Sequence, residues 1–465
     1  MSILQKAKQW ILVSCFLTFL APAGAQDWPQ WLGTKRDGVW RESGVLEKFP
    51  KTGPQVVWRA PVSGGYAGPA VSGGKVFLTD RRLEIGSKDP ENLFQRANSK
   101  GFERVLCLDG ETGKQIWEHS YPCQYSISYP CGPRCTPVVA EGRIFALGAM
   151  GNLLALDAAT GKVLWQVDFV KDWGSSVPVW GFAAHPLLVG DALICLVGGK
   201  EQGSQVVAFD KKTGQTKWKS LQLESPQSEI GYCPPTLIEL GGKAHVVIWH
   251  PEAVECLDPA TGEKRWSVPF RIKANLSVPT PRLAGNRLLV TSFYNGSMLL
   301  DLGQDGSNAK VLWKGSGRGE RPNQTDGLHS IMSTPWIDGG QFYGVCSYGE
   351  LRGLDLATGK RLWSDLRATG AAGKPASEPS ERWANAFIVP HEDKYFLFNE
   401  KGDLIIAKLT RSGYEEVDRA HVLEPTGSAA MGGPPRGIVW SHPAFAMKSM
   451  FARNDKELIR VSLTK

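Results

Sequence analysis

Apolar runs broken by turn signals follow one another along most of the chain, in the alternation expected of strands, as in NLLALD (residues 152–157) and VVAFD (206–210). Five of these runs lead into one ten-residue phrase: LDGETGKQIW ending at Trp117, LDAATGKVLW at Trp165, FDKKTGQTKW at Trp218, LDPATGEKRW at Trp266 and LDLATGKRLW at Trp363. A worn copy, DLGQDGSNAKVLW, ends at Trp313. The tryptophans recur about every fifty residues, the period of a repeat that makes one propeller blade. In each phrase the Asp (Asp109, Asp157, Asp210, Asp258, Asp355) accepts local backbone N–H groups, and the Thr adds a second local bond. The Gly (Gly113, Gly161, Gly214, Gly262, Gly359) permits positive φ at the tip. The chain then reverses into a strand carrying the Trp, so each phrase is a β-hairpin, its indole expected to pack between neighbouring blades.

With four strands per blade, A innermost and D outermost, the phrase is the C–D hairpin. Strand A opens on an x-Pro pair at Gly68-Pro69, Thr136-Pro137, His185-Pro186, Pro234-Pro235, Thr280-Pro281, Thr334-Pro335 and His442-Pro443. An eighth start, AFIVP from Ala386, lacks the signature and continues through KYFLFN and DLIIAKL to a degenerate hairpin near Tyr414 to Val417. The last start supplies only three strands before Lys465, while Gln55-Val56-Val57-Trp58 has the Trp without a preceding hairpin. The expectation is an all-β, eight-bladed propeller of four-stranded antiparallel blades, closed by the N-terminal strand, with seven blades the alternative. Closure removes the open sheet edge that would otherwise template aggregation.

Residues 1–25 carry Lys6 and Lys8, an apolar run from Trp10 to Leu20, and Ala23-Gly24-Ala25, the pattern of a secretory signal peptide cleaved after Ala25. The run is too short to span a membrane. Residues 26–465 then form one propeller domain, periplasmic or secreted. Cleavage lowers the formal charge from +7 to +5, and no basic run or aromatic-interleaved stripe argues for nucleic acid. Cys107, Cys195, Cys256 and Cys346 sit in strand patterns. Cys123, Cys131 and Cys135 cluster in one connector, where a disulfide is expected and a metal site, lacking interleaved His or carboxylate, is not.

The D-x-x-T-G-K-x-x-W hairpins, their spacing and the x-Pro starts resemble the pyrroloquinoline-quinone-like repeat family over essentially the whole mature chain. DWPQWLG (residues 27–33) and the segment GPRCTPVVAEGRIFALGAMGNLLALD resemble an exported branch of it. The resemblance implies the same propeller for members of unlike function: quinoprotein alcohol dehydrogenases, polyvinyl-alcohol-dehydrogenase-like proteins and a cofactor-free outer-membrane assembly lipoprotein. In its dehydrogenases a Trp and a ring of two adjacent disulfide-bonded cysteines clamp the quinone, beside a Ca²⁺ held by Glu, Asn and Asp. This chain has no Cys-Cys pair and no C-x-x-C-H haem attachment. Nor does it contain a G-x-S-x-G elbow, H-E-x-x-H or a phosphate-binding glycine loop.

If the short TGK turns lie on one face, the long connections share the other: the B–C insert 81–104 and the D–A segments 123–135, 315–330, 368–383 and 424–439. Residues just before each strand A should then ring the channel mouth: Tyr66, Arg134, Trp180, Tyr232, Asn275, His329, Trp383, Asn385, Arg436 and Trp440. Aromatics mixed with Arg, Asn and His fit a saccharide- or peptide-binding rim. The expected function is an exported non-catalytic scaffold that binds a protein or saccharide through this loop-rich face, with no cofactor. The alternative is an oxidoreductase using pyrroloquinoline quinone and Ca²⁺ on an alcohol or sugar.

Overall fold

The repeat closes into a ring of eight four-stranded antiparallel sheets. The computed structural model describes residues 26–199, 204–222, 229–315, 317, 319–370, 382–429 and 436–465; the leader expected at 1–25 lies outside them. Seven blades follow in chain order: blade 1 (70–125), blade 2 (138–168), blade 3 (187–220), blade 4 (236–269), blade 5 (282–314), blade 6 (336–365) and blade 7 (386–421). Blade 8 joins the termini. Strands Ala444–Ala446, Ser449–Arg453 and Glu457–Ser462 take Val56–Pro61 as their outer strand, with Trp58 opposite Arg460 and Ala60 opposite Leu458.

Middle strands read as continuous apolar runs because both of their faces meet a neighbouring blade. Ala192–Gly199 of blade 3 is buried at all eight positions. Outer strands alternate instead, as Gln115–Tyr125 of blade 1 does over most of its length. In the blade 1 hairpin Asp109 Oδ1 accepts from Thr112 N and Thr112 Oγ1, both at 2.8 Å, and Gly113 sits at φ +70°.

The glycine serves a second purpose that turn chemistry alone does not reveal. A Cβ on Gly113 would lie 2.6 Å from the Trp58 ring, and one on Gly161 would lie 2.5 Å from Trp117. Each indole therefore rests on the turn of the next blade, and its N–H donates to a carbonyl there. Trp58 reaches Gly110 at 3.0 Å, Trp165 reaches Lys211 at 3.1 Å, Trp266 reaches Gly306 at 2.9 Å and Trp363 reaches Thr410 at 2.9 Å. Trp117, Trp218 and Trp313 make the same bond.

The joint from blade 7 to blade 8 differs. Blade 7 ends in Gly413–His421, which has no Trp, and blade 8 has no C–D turn because its outer strand comes from the other terminus. The chain before that strand fills the gap. Phe49 N donates to Asp418 at 2.8 Å, Val45 bridges Thr464, and Phe49 packs with Val417 against the core of blades 7 and 8.

One expectation is corrected. No disulfide links Cys123, Cys131 and Cys135; all three are free thiols. Each faces a different neighbour. Cys123 is buried opposite Gly101 in blade 1, Cys131 lies 3.1 Å from Asp455 Oδ1, and Cys135 is directed at the Phe182 carbonyl. Burial pushes all three thiols well above their ordinary range, which disfavours the thiolate.

Removing one indole should cost about 3–5 kcal/mol where the site is buried. Trp58→Ala is expected to lower the melting temperature more than Trp363→Ala, because Trp58 is 8% exposed and sits on the strand that closes the ring. Equal melting temperatures for the two variants would contradict the joint as described.

Candidate functional site

The x-Pro starts of the inner strands line a central bore, and the N-terminal segment closes that bore from the short-turn face. Trp28 bridges Val71 of blade 1, Asp27 accepts from Ser72 Oγ at 2.7 Å, and Trp40 N donates to Pro390 O of blade 7 at 2.9 Å. Between these anchors Trp31 enters the bore. Its ring stacks on His185 at 4.1 Å between centroids, meets His442 edge-on at 4.9 Å, and its N–H donates to Thr280 Oγ1 at 3.0 Å. Arg36 follows it inward and donates to Pro186 O at 3.0 Å; burial lowers its pKa to about 10.

His185 and His442, placed at strand starts by sequence, are therefore packing groups of this plug. His185 Nδ1 accepts from Thr136 N at 2.9 Å, which requires the neutral ring. Burial holds His185 well below its ordinary pKa and brings His442 down to about 4.

At the loop-bearing end the bore opens into a cavity of about 280 Å³. Six of the ten expected rim residues line it: Tyr66, Arg134, Trp180, Tyr232, Trp383 and Trp440. The other four stand back from it. Asn275 adjoins the lining residue Ala274, and His329 is buried with Nδ1 3.0 Å from Phe293 O. Asn385 is buried, and Arg436 pairs with Glu400 at 2.9 Å. The rim rule missed Phe94, Tyr129 and Tyr294 because they come from connectors rather than from the residue before a strand A. Phe94 arrives on the B–C insert of blade 1 and packs edge-on against Tyr129 and at a tilt against Trp383. Leu276, Val278, Ile331 and Met332 complete an apolar wall.

The charges around this cavity are engaged in holding it together. Arg134 donates to Trp180 O at 2.8 Å and to Tyr129 O at 2.6 Å, and its guanidinium lies over the Tyr66 ring at 5.1 Å. Glu400, fully buried, accepts from Arg436 and from Trp440 Nε1 at 3.0 Å; Glu320 pairs with Arg382. Burial raises the Tyr66 and Tyr232 phenols above their usual range, so both stay neutral. Trp383 departs from this saturation, as does the buried Asn385 Nδ2, which also has no partner. The Trp383 backbone is held at φ +67°, and its buried indole N–H reaches no acceptor. Among the described residues the lining includes one guanidinium and no carboxylate, so that donor set does not fit a quinone held by Ca²⁺.

Residues 42–170 and 101–365 match the PQQ_2 family model, described as outer membrane protein assembly factor BamB. The chain belongs to this family. Over 246 residues it is 26% identical to an outer membrane protein assembly factor BamB of Moranella endobia, covering 49% of this chain and 56% of that relative. Over 134 residues it is 28% identical to the quinoprotein alcohol dehydrogenase PedH of Pseudomonas putida, covering 28% of this chain and 21% of that enzyme. The chain thus spans little more than half the length of the assembly-factor relative and a fifth of the enzyme. The crystal structure of BamB from Moraxella catarrhalis shares the fold, with a TM-score of 0.54 over 88% of this chain and 97% of that one at 15% identity.

The buried histidines predict an acid-labile fold. A histidine kept neutral when folded but titrating at its ordinary pKa of about 6.5 when unfolded lets the unfolded state bind more protons below that pH. Stability is then full above about pH 6.5 and is lost as pH falls toward the folded value of about 4 for His442. Between pH 7.5 and 5.0 the loss should be roughly 2 kcal/mol per such histidine. Denaturant titrations of the native chain and of His442→Gln should show a shallower pH dependence in the variant; parallel curves would show that His442 is not held neutral.

Proposed function

We propose that this propeller is an exported, non-catalytic scaffold that docks a partner protein on its loop-bearing face. One observation carries the reading: the bore is closed from the short-turn side by the protein's own N-terminal segment, leaving one aromatic cavity, open toward the long connectors, whose charged neighbours are already paired. Acid–base or nucleophilic catalysis needs a titratable group within reach of substrate and a partner to tune it. Here Arg134 and the Glu400–Arg436 and Glu320–Arg382 pairs are bound into the walls. The similarity to a protein named as an outer membrane protein assembly factor favours a protein over a saccharide as the partner, and an envelope location with it.

Similarity to a quinoprotein alcohol dehydrogenase over 134 residues favours a second reading, a quinone- and Ca²⁺-dependent oxidoreductase. The lining argues against it. The shared stretch amounts to a fifth of that enzyme, and repeat hairpins alone can account for it.

Two measurements separate the readings. A photo-crosslinking residue at Phe94 or Tyr294 should trap a discrete partner in the native envelope, while one at Lys162 or Lys360 on the short-turn face should not. The purified chain mixed with pyrroloquinoline quinone and Ca²⁺ should retain no chromophore and reduce no dye with alcohols. Crosslinks confined to the short-turn face would refute loop-face docking, and a stoichiometric chromophore with turnover would establish the oxidoreductase.

A further inference from the structure

The bore already shows what it accepts. At the short-turn end a tight turn of the chain, with Gly33 N donating to Gln30 O, inserts Trp31, stacks it on His185 and holds its N–H on Thr280, while main-chain bonds at Trp28–Val71 and from Val139 N to Pro29 O secure the chain just before it. The loop end presents a second aromatic receptacle. Its lining of eight aromatic, six aliphatic or thioether side chains and one guanidinium encloses about 280 Å³. That volume lies at the lower edge of small-molecule sites, about 300–1,000 Å³, and suits one large side chain.

The wall chemistry discriminates among ligands. A sugar ring brings several hydroxyls, each losing water on entry, and an unmet buried hydroxyl costs on the order of 1–3 kcal/mol. Among the described residues the one charged group in the lining, Arg134, already donates to Trp180 O and Tyr129 O. An apolar or aromatic side chain makes no such demand and gains from burial against ring faces. Besides the hydroxyls of the lining tyrosines there is the Trp383 N–H, buried and unpaired on a strained backbone. A peptide carries a carbonyl next to every side chain, so a bound peptide brings the acceptor this group lacks.

We infer that the loop-end cavity is a socket for a single aromatic or large aliphatic side chain presented by a turn in a segment of a partner protein. A backbone carbonyl of that segment accepts from Trp383 Nε1 after a pivot of the indole. This rests on the loop-face docking reading and names the chemistry of what docks. Trp383 is a specificity residue, and Met332 is part of the apolar wall that bounds the space.

The test uses the full chain and three probes: acetyl-Gly-Trp-Gly-amide, acetyl-Gly-Ser-Gly-amide and N-acetylglucosamine. Calorimetric titration should show saturable binding of the Trp peptide alone. Met332→Trp, which fills the cavity, should abolish it. Trp383→Phe, which keeps a ring and removes the N–H, should weaken it about fivefold without lowering the melting temperature. Binding of the sugar but not the Trp peptide would overturn the inference, as would undiminished peptide binding by a folded Met332→Trp chain or no binding of any probe. If the peptide fails while crosslinks at Phe94 and Tyr294 persist, the socket is wrong and loop-face docking stands; loss of those crosslinks would refute docking itself.

Discussion

Everything in this molecule depends on the contact between one blade's tryptophan and the next blade's turn. The indole supplies area, its N–H fixes the carbonyl below it, and the turn glycine gives way because it has no Cβ to collide with the ring. The Asp and Thr of the same turn hold its backbone in the shape that presents that carbonyl. Four residue types thus make one joint. Because each joint involves only adjacent blades, the ring tolerates wide variation in the connectors on the opposite face.

A ring of repeats must still solve its ends. With strand order shifted by one, the N-terminal strand becomes the outer strand of blade 8, so the last joint can have neither the tryptophan of blade 7 nor a turn to receive it. The chain ahead of that strand compensates with Phe49, Val45 and Asp418, and further upstream it plugs the bore with Trp31 and Arg36. Closure and plugging are consequences of one placement of the N-terminal segment. The bore is therefore filled at its short-turn end by the chain itself.

The ring, its eight blades and its closure were legible because they are written in local periodicity and turn chemistry: NLLALD alternates, Gly161 sits at a tip, and Trp58 stands without a hairpin of its own. Six rim residues followed from the same register, since the position before each strand A is fixed by the blade. What escaped depends on contacts distant in sequence. Trp31 meets His185, Thr280 and His442 only after the ring has formed, and Phe94 reaches Trp383 across the mouth. The cysteine trio misled for the same reason: proximity in one connector says nothing about direction, and Cys131 turns to Asp455 in the last blade.

The distribution of satisfied and unsatisfied polar groups separates wall from site. Arg134, Glu400 and Glu320 are charged groups at the mouth of the cavity, and in an enzyme such groups would be the first candidates for chemistry. Each is instead bound to a fixed neighbour, Arg134 to carbonyls and the glutamates to Arg436 and Arg382. Releasing any of them would leave a buried charge without its partner, a cost of several kcal/mol that no substrate contact obviously offsets. Trp383 is the opposite case, since its buried N–H already carries the cost of a missing partner, which a ligand acceptor would relieve. In the docking we infer, recognition therefore rests on ring faces and on the Trp383 N–H.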